Sequence, residues 1–394
     1  MIEVTRKDNG LVAILSVVLG LLVGAIIMLV SGFNPIAGYG SLLQSAFGTP
    51  QSIGEVLRQM SPLLLTGAGF MVAQAAGFFN IGLSGQAMAG WFGSVWFALS
   101  FPTLSKLILL PTTIIIGIAL GAVAGMIPGW LRARFGSSEV ITTIMFNYII
   151  LYVGNSLVQN TFKKSIKATT ESSVLISNHA SLRASWLTNL TNGSSLNIGL
   201  FIAIIVVVVV WFVMKKTTLG LEITSVGLND SAARYAGISD RRTATIAMVI
   251  SGGLAGLAGV VDGLGTYQNV FVQNAVPGVG FDGMAVALLG GGSYLGLVGG
   301  AALFSVLKIG GLGMPIFTGV PTELVDIIIA AIIFFVGINY VVRLLIARFR
   351  KVTTKPNPLL VPVTANGADK AVVNGEQETS DGSESKKPTK GDEA

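Results

Sequence analysis

The sequence predicts an all-α membrane protein with about ten transmembrane helices, broken or re-entrant elements among them, and two weakly similar halves. Three observations predict it. Only 11% of the 394 residues are charged, against about 25% in soluble domains. Apolar runs long enough to cross a bilayer recur along most of the chain. Finally, 50 glycines are scattered through those runs, which suits close helix packing and interrupted helices.

Residues 1–10 are short and polar, with Arg6 and Lys7. Residues 11–33 form a first apolar run of about 20 residues, without the short core and small-residue cleavage site of a signal peptide. Residues 34–52 are polar and Gly-rich and are placed outside. Runs 56–78 and 81–99 follow, separated only by Phe79 and Asn80, so a sharp hairpin or a re-entrant element joins them. Run 107–131 ends at Arg132 and Arg134, and run 140–158 opens onto a long polar loop, 159–197, holding Lys163, Lys164, Lys167, Arg183 and the only histidine, His179. Run 198–214 leads to the most basic stretch of the membrane part, 215–242. After it come runs 244–261, 275–289, 295–309 and 323–342, the middle two separated by Gly290, Gly291, Gly292 and Ser293.

Basic residues cluster in segments 1–10, 132–134, 215–242 and after Val342. With both termini cytoplasmic this satisfies the positive-inside rule. Residues 1–350 are expected to be the membrane domain. Residues 351–394, rich in Lys, Glu, Ser, Gly, Thr and Pro, are expected to be a disordered cytoplasmic tail.

Within 215–242, Asn229 and Asp230 are placed to cap a short helix over 231–236 that Gly237 ends, and Ser239 and Asp240 to cap the next one. Two readings fit this stretch: a docking knob for another protein, or a solvated loop. A second pattern is an echo between Gly77-Phe-Phe-Asn-Ile-Gly-Leu83 and Gly280-Phe-Asp-Gly-Met284. Each lies between paired apolar runs, and the surrounding segments, 55–159 and 243–345, are alike in length. Broken helices in corresponding places of two halves point to a transport site near the bilayer midplane, although chance similarity between Gly-rich helices competes.

The net charge of +6 follows membrane topology, so no nucleic-acid partner is expected. There is no cysteine and a single histidine, which excludes disulfides and a His-built zinc site. No G-x-x-x-x-G-K-[ST] occurs, and a lone His in a flexible-looking loop is a poor general base, so the chain is not expected to be an enzyme. The costly groups are the polar residues inside apolar runs: Gln74, Asn80, Gln86, Glu139, Asn147, Asn155, Asp262, Asp282, Lys308 and Asp326. A charge at mid-bilayer costs about 2.5–3.5 kcal/mol and needs a partner or a wet cavity. Asn80, Gln86, Glu139, Asn147 and Asp282 are the candidate lining of a substrate pathway. For Asn147 and Asn155, hydrogen bonding between helices is the competing role; for Glu139 it is helix capping. Asp282 is placed to cap a broken helix. This lining carries two acids and no secure cation, Lys308 lying near a span end, which favours a neutral, polar ligand. Phe78, Phe79, Trp91 and Trp96 supply aromatic surface, with packing or anchoring as the commoner use.

Residues 79–90 (FNIGLSGQAMAG), 138–148 (SEVITTIMFNY), 227–237 and 280–291 (GFDGMAVALLGG) resemble ABC-importer permeases of the branched-chain amino acid/ribose class. The 138–148 segment is most similar to the bacterial nucleoside (guanosine-type) permeases of that class. The resemblance spans roughly 10–350, in consistent order; the tail departs from it. It implies a permease that pairs with a second, homologous permease, docks on a cytoplasmic ABC ATPase that carries ATP and Mg, and receives substrate from an extracytoplasmic substrate-binding lipoprotein. No cofactor is expected on this chain. The resemblance also implies that 225–237 is the coupling segment, with Gly227, Asp230, Ala232, Ala233, Tyr235 and Gly237 contacting the ATPase.

Overall fold

The computed structural model describes residues 8–162 and 166–338. In chain order the helices are α1 (Asp8–Val30), α2 (Pro35–Phe47), α3 (Pro50–Ala75), α4 (Leu83–Ser100), α5 (Lys106–Phe135) and α6 (Glu139–Ser156). Then come α7 (Ser185–Leu190), α8 (Gly199–Lys216), α9 (Thr218–Leu228), α10 (Asp230–Tyr235) and α11 (Asp240–Val261). The last are α12 (Val279–Leu289), α13 (Tyr294–Gly311), α14 (Met314–Thr318) and α15 (Thr322–Gly337). Among the described residues β pairing is limited to three isolated bridges. The chain is an all-α membrane protein.

Seven described helices are long and apolar enough to cross a membrane: α1, α3, α5, α6 with its terminal π turn, α8, α11 with its own, and α13. Ten full crossings are not what the described residues show. At 11 residues, α12 is about 16 Å long, roughly half a hydrocarbon core. The end of the last expected span, the basic group beyond Val342, the tail, Arg6, Lys7, Lys163 and Lys164 all lie outside the described residues.

Helices α3 and α11 are the enclosed pair, with 83% and 72% of their most apolar stretch buried, against 22–28% in α1, α5, α6 and α8. α3 packs on α12 and α13, while α11 packs on α4 and α5. Each half therefore sends its long central helix against the broken helix and following span of the other half, the exchange expected of two related segments. α5 and α11 run antiparallel along facing rows of glycine: a Cβ at Gly121 would meet Gly256 Cα at 2.5 Å, and one at Gly252 would meet Gly125 Cα at 3.0 Å. Small residues spaced by four let two helix backbones touch where water supplies no driving force. α1 and α15 are also antiparallel, Gly20 facing Ile332 and Gly24 facing Ile328, so the start of α1 and the end of α15 share one end of the bundle.

Three segments differ from expectation. Residues 34–52, marked in the sequence only as polar and Gly-rich, hold α2 and the start of α3. Asn34 Oδ1 accepts from Ile36 N at 2.9 Å, and Pro35 takes the first helical position of α2, where its missing N–H costs nothing. The described part of loop 159–197 is tied to the bundle. Ile176 N donates to Gln268 O at 2.8 Å and Leu182 N to Leu264 O at 3.1 Å, and Ile176, Ala180 and Leu182 are buried. The loop therefore closes over the end of α11 by supplying apolar side chains and backbone partners together. His179 is exposed within it, its Nδ1 3.1 Å from Leu104 O. Finally, stretch 215–242 holds a second helix, α9, before the expected short one.

Candidate functional site

Two broken helices meet at their N-termini inside the bundle. α3 ends at Ala75, and Gly77, at φ +80°, reverses the chain in a conformation that a side chain would strain. Residues 78–82 then return without helical structure to the start of α4. From the opposite end, 268–278 lead to the start of α12. There Gly280 N donates to Ser84 Oγ at 3.2 Å and Thr66 Oγ1 to Val279 O at 3.3 Å. A Cβ at Gly280 would meet Ser84 Oγ at 2.6 Å, so glycine is what allows the approach. Both helix N-termini carry partial positive charge, a setting that suits ligand groups accepting hydrogen bonds.

Of the five candidate pathway residues, the structure brings three into one network. Asn80 Nδ2 donates to Gln86 Oε1 and to Ser251 Oγ, both at 2.9 Å. Asn80 Oδ1 accepts from Gly82 N at 3.0 Å. Asn147 Oδ1 accepts from Gly85 N at 2.8 Å, and its Nδ2 donates to Ile81 O at 2.9 Å. All three side chains are buried. They replace the helical hydrogen bonds missing across 78–85, the interhelical role that competed for Asn147. Asn155 does the same for the second unwound segment, donating to Gln273 O at 2.8 Å and accepting from Gln273 N at 2.9 Å. Asn147→Leu orphans Gly85 N–H and Ile81 C=O, at about 1–3 kcal/mol each. The purified protein should show a lowered unfolding midpoint; an unchanged midpoint would refute this account of the turn.

The other two candidates lie apart. Glu139 does not cap α6: Ser138 Oγ accepts from Ile141 N at 3.5 Å, and Glu139 instead pairs with Arg132 at 3.1 Å. Asp282 does not cap α12 either. Gly278 holds that position, and Asp282 N donates to Gly278 O at 2.9 Å. Its carboxylate pairs with Lys308 of α13. Lys308 is therefore a partnered cation and not an isolated one near a span end; the pair is neutral, so the site still carries little net charge.

At the far end of α11, α10 is the expected short capped helix. Asn229 Oδ1 accepts from Ala232 N at 3.0 Å, and Gly237, at φ +83°, ends the turn. Ser239 occupies the next cap position without a side-chain cap bond. Arg234 bridges Asp230 at 3.4 Å and Asp240 at 3.5 Å. Asp230, Ala232 and Gly237 are exposed, and Tyr235 is 95% exposed, whereas Ala233 is 3% exposed and faces the chain. Gly227 sits on the end of α3: a Cβ there would meet Ala75 C at 2.8 Å and Ala76 C at 2.9 Å. The end of α9, which leads into α10, thus rests directly on the turn that carries Asn80. A cavity of about 380 Å³ lies beside this seat, lined by 76–78, Arg132, 226–230 and Asp240.

Residues 52–337 match the family described as branched-chain amino acid transport system / permease component. The chain belongs to that family. It is 50% identical over 350 residues to the nucleoside ABC transporter permease protein NupB of Lactococcus lactis subsp. cremoris, covering 88% of this chain and 95% of that protein. It is 43% identical to the guanosine ABC transporter permease protein NupP of Bacillus subtilis, covering 88% and 99%. To the glucose ABC transporter permease protein TsgB13 of Haloferax volcanii it is 31% identical, covering 82% and 85%. No solved structure matches.

In this permease the sequence left several participants unmarked. Ser84, Ser251 and Thr66 are small hydroxyls within apolar runs, with nothing in their spacing to single them out. Arg132 reads as a topology signal, yet it pairs with Glu139 and lies 5.9 Å over the Phe78 ring. Phe79 packs edge-on to Phe70, Trp91 is buried, and Trp96 lines an outward apolar groove.

Proposed function

We propose that this chain is the permease subunit of an ATP-driven importer that carries nucleosides across the bacterial cell membrane, with both termini cytoplasmic. The observation that carries the reading is identity: 50% and 43% to permeases named for nucleoside and guanosine, against 31% to one named for glucose. A second homologous permease completes the pathway, a cytoplasmic ABC ATPase binds ATP and Mg, and an extracytoplasmic lipoprotein delivers the substrate. Membrane lipid surrounds the exposed faces of α1, α5, α6 and α8.

The seat of Gly227 on Ala75 and Ala76 supports a mechanism. Closure of the ATPase dimer pushes α10 through Tyr235, Asp230 and Ala232, with Ala233 and Gly237 holding the knob's shape. The push passes through Gly227 to the turn at 76–82, and the junction of α4 and α12 opens to one side and then the other. Asn80, Gln86 and Asn147 then exchange hydrogen bonds within the turn for substrate, Asp282 turns to it from its pair with Lys308, and the Glu139–Arg132 pair lies along the exit. Rigid elements transmit the movement, and the partner supplies the energy.

Tyr235→Asp tests the docking without disturbing the fold, since the side chain touches solvent. At unchanged membrane abundance, uptake and substrate-stimulated ATP hydrolysis by the complete transporter should fall more than about tenfold, the loss of one aromatic anchor. Wild-type coupling would rule the knob out. Competition for uptake among purine nucleosides, pyrimidine nucleosides, ribose and leucine assigns the substrate class, and a sugar permease would show ribose as the winner. An ion-coupled transporter, the rival from another class, would accumulate solute as a lone chain without an ATPase.

A further inference from the structure

α11 does not end as an α-helix. Residues Asp262–Tyr267 continue it as a π turn, with Gln268 N donating to Gly263 O at 2.9 Å, and Gln268 then takes the left-handed conformation at φ +58°. Such turns and such non-glycine conformations concentrate at functional sites. This one is held in place. Arg183 Nε donates to Gly265 O at 2.9 Å and its Nη2 to Thr266 O at 2.7 Å, so the carbonyls freed by the wide turn are satisfied.

The π turn changes which side chains share a face. In an α-helix, positions 262 and 267 would stand roughly 140° apart. The i→i+5 ladder widens the turn and brings them to one side. Thr266 Oγ1 donates to Asp262 Oδ1 at 3.4 Å, and Arg58 of α3 reaches Thr266 Oγ1 at 3.4 Å. Among the described residues Asp262 has no ion pair. Tyr267 stacks on Trp91 with centroids 4.9 Å apart and planes 27° apart, and Phe271 meets both rings edge-on. Trp91 is fixed beneath, its Nε1 donating to Asn269 O at 2.9 Å. Tyr267 remains 45% exposed against 5% for Trp91. The result is a rigid aromatic ledge with a carboxylate next to it, about 33 Å along α11 from the knob.

We propose that Tyr267, Asp262 and Thr266 form an entry subsite for a nucleoside. The flat base stacks on the Tyr267 ring, and the ribose hydroxyls donate to the Asp262 carboxylate. Every base has a π face, so the ledge is tolerant of base identity, while the carboxylate selects for the diol. The subsite rests on the nucleoside reading above and adds residues outside the α4–α12 junction.

The test uses the complete transporter in its membrane, with uptake of radiolabelled guanosine and 2′-deoxyguanosine measured at saturating substrate and divided by membrane abundance. Tyr267→Leu should lower the maximal rate for both about tenfold, and Tyr267→Phe should keep it. Asp262→Asn should lower guanosine uptake about tenfold while sparing deoxyguanosine, narrowing the ratio between them. Photolabelling of the same complex with 8-azidoguanosine should mark a peptide containing 262–271, displaced by guanosine and not by ribose. Wild-type rates per molecule in the Leu variant, an equal loss for both substrates in the Asn variant, or label confined to other peptides would each overturn the subsite. Loss of membrane abundance in Tyr267→Leu with an unchanged rate per molecule would also overturn it and make Tyr267 a bilayer anchor. A wild-type transporter that moves ribose or leucine and no nucleoside would instead overturn the substrate reading, and the subsite with it.

Discussion

Gly256→Val is expected to keep the chain from accumulating in the membrane as a monodisperse protein. Gly256 is where three helices meet. A Cβ there would lie 2.5 Å from Gly117 O and 2.9 Å from Gly121 Cα of α5, and one at Gly90 of α4 would lie 2.6 Å from Gly256 Cα. Overpacking a core ordinarily costs about 1–3 kcal/mol, because side chains shift to make room. Here the atoms in the way are backbone on both sides, so α4, α5 and α11 must move apart and give up packing along their length. The cost should reach or exceed the top of that range. Membrane abundance and the gel-filtration profile after detergent extraction measure it. Gly299, with nothing within 4 Å of its added Cβ, supplies the control, and Gly299→Ala should behave as wild type. A monodisperse, fully abundant Gly256→Val protein would show that the three helices are not as tightly joined as described.

Lys308→Met should be nearly as damaging, for an electrostatic reason. Lys308 pairs with Asp282, and the two side chains are only 29% and 13% exposed. Removing one member of a buried pair leaves an uncompensated charge and costs about 3–5 kcal/mol. The residual water contact of Lys308 places the expected loss near 3 kcal/mol. Replacing both members, Lys308→Met with Asp282→Leu, should recover most of the stability, because two apolar side chains need no partner. Unfolding midpoints of wild type, single and double variants in one detergent decide the matter. A double variant no more stable than Lys308→Met would mean that the pair is not what holds α12 to α13. Uptake gives a second readout: if Asp282 belongs to the pathway, the double variant is stable and inactive.

Much of the site was legible because its signals are local. The Phe79-Asn80 break, the Gly280-Phe-Asp282 echo and the Asn229-to-Gly237 helix are each written within about a dozen residues, and capping and turn chemistry act over that distance. Asn34-Pro35 carried the same kind of signal for α2, but the run around it stands out only as polar and Gly-rich. The roles of Glu139 and Asp282 were not legible. Each was consistent with a cap, and each instead pairs with a cation, Arg132 or Lys308, that only the packing of a neighbouring helix brings within reach.

By itself the sequence determined that this is a helical membrane protein, and that its helices break at two related places. Apolar length, charge deficit and turn residues are properties of a segment and need no knowledge of its neighbours. Only the tertiary structure decided that the two breaks face each other, that Gly227 rests on the end of α3, and that a π turn gathers Asp262, Thr266 and Tyr267. The first two are juxtapositions of segments up to about two hundred residues apart and depend on which backbones glycine allows to touch; the π turn is local, but Arg183, about eighty residues away, satisfies its carbonyls.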